Sequence, residues 1–171
     1  ASARPPATAN PRTTAMLGLS CARSASTPAG IPSRTSRRWP IGAVATLIKP
    51  RGEAPAGGRK LLSYQFAEDS TGPQCAPSYA MRQWSAPAFL TGQIIVPAAF
   101  LAVQSALAQG WAVVVPDHEG PNSAFAHGPL GARITLDGIR AAESFPDLQV
   151  SGTGTDVAMW GYSGGSMPTV H

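Results

Sequence analysis

Asp156-Val157-Ala158-Met159-Trp160-Gly161-Tyr162-Ser163-Gly164-Gly165 decides how the rest of the chain is read. Val157 to Trp160 is a short apolar run that reads as a buried strand, and it ends in Gly-x-Ser-x-Gly, the spacing of a nucleophile elbow. The reason for that spacing is steric. A serine forced into a tight turn between strand and helix needs small residues two positions before and after it, here Gly161 and Gly165. Ser163 Oγ is then expected to stand exposed at the C-terminal edge of a sheet, with the Gly164 N–H aimed where an oxyanion would form. Chance gives this spacing about 0.2 times in a chain of this composition, so the motif takes its weight from the strand directly before it.

Upstream, Trp111 to Val115 is a continuous apolar run broken at Pro116, as expected for a central parallel strand covered on both faces. A helix is expected from Ala132 to Phe145, with Leu136, Ile139 and Glu143 on one stripe and Ile134, Gly138, Ala141 and Phe145 on another. Strand, helix, strand and elbow is the order of a βαβ unit in a doubly wound α/β sheet. In such sheets the loops after the strands line the ligand crevice, so Pro116-Asp117-His118-Glu119-Gly120 should lie beside the elbow. Three adjacent side chains, Asp117, His118 and Glu119, cannot all face one ion, and no further ligand pair is spaced to help, so no metal is expected. A hydrogen-bonded turn is the simpler reading, above all for Glu119.

Towards the N-terminus, Phe100, Val103 and Leu107 fall at helical spacing between Pro97 and Gly110. Residues 67–91 contain Pro73, Pro77 and Pro87 and show no period, so irregular structure is expected, with Trp84 and Phe89 as packing residues. Leu61 to Phe66 and Ile41 to Ile48 read as two strands joined by a Gly/Pro-rich loop, a hairpin or meander at one sheet edge. Residues 1–38 are rich in Ala, Ser, Thr, Pro and Arg without periodicity and are expected to be a disordered basic arm; residues 39–171 form the α/β domain. Residues 1–52 carry eight Arg and Lys and no acid, whereas the remainder carries five basic and nine acidic residues. A basic arm of that kind can also bind nucleic acid or an anionic membrane, which is the non-catalytic alternative. No apolar run approaches the roughly 20 residues of a membrane span, and Ala15 to Ala22 lacks the start of a secretion signal.

Taken together, Leu62-Ser63-Tyr64-Gln65 through Cys75-Ala76-Pro77-Ser78-Tyr79, Pro116 to Pro121, Leu136-Asp137-Gly138-Ile139-Arg140 and Gly161 to Gly165 resemble the secretory lipase family over residues 37–165. The resemblance implies an α/β-hydrolase fold, here a mostly parallel sheet with flanking helices, and a secreted enzyme acting on triacylglycerol-type esters. It implies Ser163 as nucleophile and the backbone N–H groups of Gly164 and Asp117 as oxyanion donors. It also implies a disulfide partner downstream of Cys75; Cys21 lies in the unmatched arm. Neither a cofactor nor a nucleic-acid partner is implied, and the partner is a lipid or ester substrate.

The family's acid and His follow its nucleophile, whereas only eight residues follow Ser163 here, and their one histidine, His171, stands roughly 12 Å of helix rise away. His118 and His127 precede the nucleophile and match no family role. The expectation is therefore a partial or frame-disrupted lipase reading, with the sheet cut just after the elbow, Val157 left on an open edge, and little esterase activity. Another α/β-hydrolase acyl transfer, such as polyester hydrolysis or acyltransfer, shares the same elbow.

Overall fold

The computed structural model describes residues 42–68, 75–82 and 95–171, with the backbone alone at 82 and 95–99. The basic arm, Cys21, Trp84, Phe89 and the start of the first expected strand lie outside the described residues.

Four strands form one mixed sheet, and its middle is made by the two most apolar runs. Strand β2 (Leu61–Gln65) and strand β3 (Ala112–Pro116) are buried at every position and pair in parallel, with Leu61 opposite Ala112 and Ser63 opposite Val114. Strand β1 (Ala45–Ile48) runs antiparallel to β3, and strand β4 (Val157–Gly161) runs parallel to β2, giving the order β1-β3-β2-β4. The expected hairpin between the first two strands is therefore not formed, because β3 lies between them. Residues 49–60 only have to span two strand spacings, about 10 Å. Leu61 to Gln65 needs a neighbour on each edge, and β3 and β4 supply them.

Alternation along β2 and β3 sorts their side chains to two cores. Leu62, Tyr64, Val113 and Val115 pack with Phe66, Met81, Phe100, Val103 and Ala106 on one face, where helix α2 (Ile95–Ala108) lies. Leu61, Ala112 and Val114 pack with Leu47, Ile139, Ala142 and Leu148 on the other, beneath helix α3 (Gly128–Glu143). Each of the larger apolar side chains among them, fully buried, contributes about 1.5–3 kcal/mol, so the sheet's centre is its most stable part.

Three features differ from the sequence expectation. Helix α1 (Pro77–Arg82) lies inside the stretch read as irregular; six residues are under two turns and too short to show a period. Helix α3 begins four residues early, capped by His127, whose Nδ1 accepts the Leu130 N–H at 3.1 Å. Its buried face runs through Gly131, Ile134, Thr135, Gly138, Ile139 and Ala142, and Leu136 faces solvent. Strand β4 is apolar but not buried: Val157, Met159 and Trp160 are 37, 36 and 52 % exposed. Among the described residues β4 pairs only with β2, so it is an edge of this sheet. No described helix is long and apolar enough to cross a membrane.

Candidate active site

At the end of β4 the chain turns through Tyr162, extended at φ −134°, into Ser163 at φ +53°. That left-handed value is rare outside glycine and costs on the order of 1–3 kcal/mol, which the surrounding contacts must offset. Residues 163–165 make one tight turn before helix α4 (Ser166–Val170), leaving Ser163 exposed and Gly164 and Gly165 buried.

The two glycines of the motif are where the corner closes. A Cβ on Gly161 would overlap the Gly165 carbonyl and Thr169 Oγ1; one on Gly165 would overlap the carbonyls of Gln65 and Phe66 at the end of β2. The turn is thus pressed directly onto the neighbouring strand. Hydrogen bonds then hold it: Gly165 N–H to Tyr162 O at 3.0 Å and Ser166 Oγ to Ser163 O at 2.6 Å. The Thr169 hydroxyl lies 2.7 Å from Gly165 O and 2.9 Å from Gln65 Oε1, and Gln65 Nε2 donates to Ser63 Oγ at 2.7 Å. This chain of polar contacts anchors α4 to the buried strand β2.

The loop after β3 lies beside this corner, as the sheet topology requires: His118, Glu119, His127, Gly164 and Pro168 line one pocket. Asp117, His118 and Glu119 are all buried. The Asp117 carboxylate accepts two hydrogen bonds from Ser78 at the start of α1, from its N–H at 2.8 Å and its Oγ at 2.6 Å. The Asp117 N–H donates to Val44 O at 2.9 Å, continuing the β1–β3 ladder, so in this conformation it is turned to the sheet and not to a ligand. The turn expected around Glu119 is present: Gly120 N–H donates to Asp117 O and Ala124 N–H to Glu119 O, both at 2.9 Å.

Glu68 is not legible in the sequence as a site residue. It stands three residues beyond β2, level with His118 and Glu119 beyond β3, and donor atoms of the three lie within 4.8 Å of one another. Burial first, then the charges of Glu119 and Asp117, push the Glu68 carboxyl up to about 8. Of the remaining histidines, His127 caps α3 while lining the same pocket, and the His171 ring lies against Gly128, where a Cβ would overlap it. Cys75 is half-buried with a free thiol, so the implied disulfide is not formed among the described residues.

The sequence model of the family described as secretory lipase matches residues 86–171. The chain belongs to the secretory lipase family. It is 43% identical over 133 residues to Lipase A of Arthroderma benhamiae, covering 75% of this chain and 27% of that protein. It is 41% identical over 128 residues to a secreted triacylglycerol lipase of Malassezia furfur, covering 75% of this chain and 32% of the relative. A Mycobacterium tuberculosis protein named "Probable inactive lipase" is 40% identical over 128 residues, covering 75% of this chain and 28% of its own. The X-ray structure of Candida antarctica lipase A in its closed state superposes with a TM-score of 0.56 at 38% identity, over 75% of this chain and 28% of that one. The chain therefore spans about a quarter to a third of the length of these relatives. Within the secretory lipase family, the mixed four-stranded sheet with flanking helices is the expected part of the α/β-hydrolase architecture.

Proposed function

We propose that these residues carry the nucleophile of a secreted lipase that hydrolyses triacylglycerol-type esters at a lipid–water surface. One observation carries the reading: an exposed Ser163 held at φ +53° between a parallel strand and a helix, with its flanking glycines in backbone contact. In the reaction, Ser163 Oγ attacks the ester carbonyl while a histidine takes its proton; the alcohol leaves, and water then releases the acyl group. Gly164, next after Ser163, offers its N–H to the oxyanion, a donor worth about 2.7–4 kcal/mol in such sites. Asp117 becomes the second donor only if its N–H leaves Val44 O.

Each of the three histidines holds another place in this arrangement. His118 is buried beside Glu68 and Glu119, His127 uses Nδ1 to cap α3, and His171 sits beyond the far end of α4. The 171-residue chain by itself is therefore expected to turn over p-nitrophenyl esters slowly, with no change on Ser163→Ala. The decisive experiment places residues 42–171 in a chimera in the matching segment of Candida antarctica lipase A and measures tributyrin hydrolysis. Activity lost by a factor of about 10³ or more on Ser163→Ala supports the reading. A folded chimera that hydrolyses no ester, whatever its acyl group, favours an inactive lipase-like protein instead.

A further inference from the structure

We propose that Glu68, His118 and Glu119 form a divalent-metal site, best suited to zinc, that ties the end of β2 to the loop after β3 behind the elbow. Two carboxylates and one imidazole are a hard-to-borderline donor set that matches Zn²⁺ chemistry, with water completing the coordination. The three residues are 5, 4 and 4 % exposed, and each turns one donor atom to within 4.8 Å of the other two. Zinc bonds of about 2.0–2.2 Å set tetrahedral donors about 3.3–3.6 Å apart, so the widest gap closes by under about 1.5 Å, within the swing of a Glu side chain.

The second observation is Glu68 itself. Its Oε2 is fully buried and meets no hydrogen-bond donor, and among the described residues no Lys or Arg pairs with it. Buried carboxylate oxygens are nearly always satisfied, and one on a side chain that comes within 4.8 Å of an imidazole and a second carboxylate requires an explanation. A cation supplies it. The fold supplies the geometry, since β2 and β3 are parallel neighbours whose continuations leave the sheet together. Asp117, the remaining acid of the loop, has its carboxylate on Ser78 and stays outside the set. The competing arrangement is a carboxylic acid on Glu68 sharing its proton with Glu119, and the experiment separates the two.

The full 171-residue chain, stripped with chelator, is titrated with Zn²⁺ and with Mn²⁺ by calorimetry, and its metal content is read by elemental analysis. About one Zn²⁺ per chain is expected, with a raised melting temperature. Glu68→Gln and His118→Gln should each weaken zinc binding by about tenfold or more, while His127→Ala and His171→Ala leave it within about twofold. If those variants fail to fold, zinc-edge absorption on the unaltered chain still decides, with one imidazole, oxygen ligands and no sulfur expected. Zinc held by two imidazoles or by Cys75, or no zinc retained together with a protonated carboxyl in the infrared spectrum, would overturn the proposal. Neither readout depends on ester hydrolysis, so this site and the lipase reading stand or fall separately.

Discussion

The two corners that follow the parallel strands are built on opposite principles. At the end of β4 the backbone is forced, with Ser163 at φ +53° and glycines packed to the limit, while the side chain stands in solvent. At the ends of β2 and β3 the side chains of Glu68, His118 and Glu119 are pressed together out of water. A reactive group needs a fixed backbone and an open side chain. A structural clamp needs the reverse. The contrast predicts that the elbow responds most to changes of backbone shape and the buried cluster to changes of charge.

The largest effect should come from Gly165→Ala. The added methyl meets the carbonyls of Gln65 and Phe66 at the end of β2 and cannot be absorbed by a flexible side chain, so α4 must move off the sheet. A loss of about 3 kcal/mol or more in urea unfolding is expected, above the usual range for an extra methyl. A loss below about 1 kcal/mol would mean that the elbow is not pressed against β2, and the contrast would fail on its first side.

The buried corner is tested by pH in chelator-treated protein. Glu68 keeps its proton in the folded chain up to about pH 8, whereas the unfolded chain gives it up near the ordinary 4.5. The folded state thus binds more protons between these values. Stability should be full below pH 4.5, fall as pH rises towards 8, and level off above it. Glu68→Gln should remove this fall, and zinc should reverse it by taking the proton's place. A flat profile in the unaltered chain would show that the cluster is wetter than its burial indicates. Asp117→Ala should act on the same corner more locally, costing about 2 kcal/mol by leaving the Ser78 N–H and Oγ without their carboxylate.

The difference in legibility between the corners has the same origin. The elbow is contiguous: strand, Gly161, Ser163 and Gly165 stand within ten residues, and sterics alone link the motif to the turn. The β3 run Ala112 to Pro116 is equally local. The buried cluster joins position 68 to positions 118 and 119, and only the β2–β3 pairing brings them together. Reading the first two strands as a hairpin moves β2 away from β3 and hides Glu68. The apolar character of Val157 to Trp160 suggests burial, but burial depends on what covers an edge strand, which its own residues do not encode. The Asp117 N–H is a similar case, since its commitment to Val44 follows from β1 lying antiparallel beside β3.

The smallest effect is the most specific to the elbow. Ser163 sits where a Cβ crowds the backbone, so Ser163→Gly should stabilise the chain by about 1 kcal/mol, the left-handed penalty reduced by glycine's greater freedom when unfolded. Ser163→Ala keeps the Cβ and the penalty, and its stability should stay within about 0.5 kcal/mol of the parent. In the hydrolysing chimera the two substitutions should be equally inactive. Stability would then distinguish variants that activity cannot tell apart, because only the backbone contribution differs between them. If glycine instead destabilises, the positive φ costs nothing at this corner, and the exposed serine is an ordinary turn residue with no strain set aside for reaction.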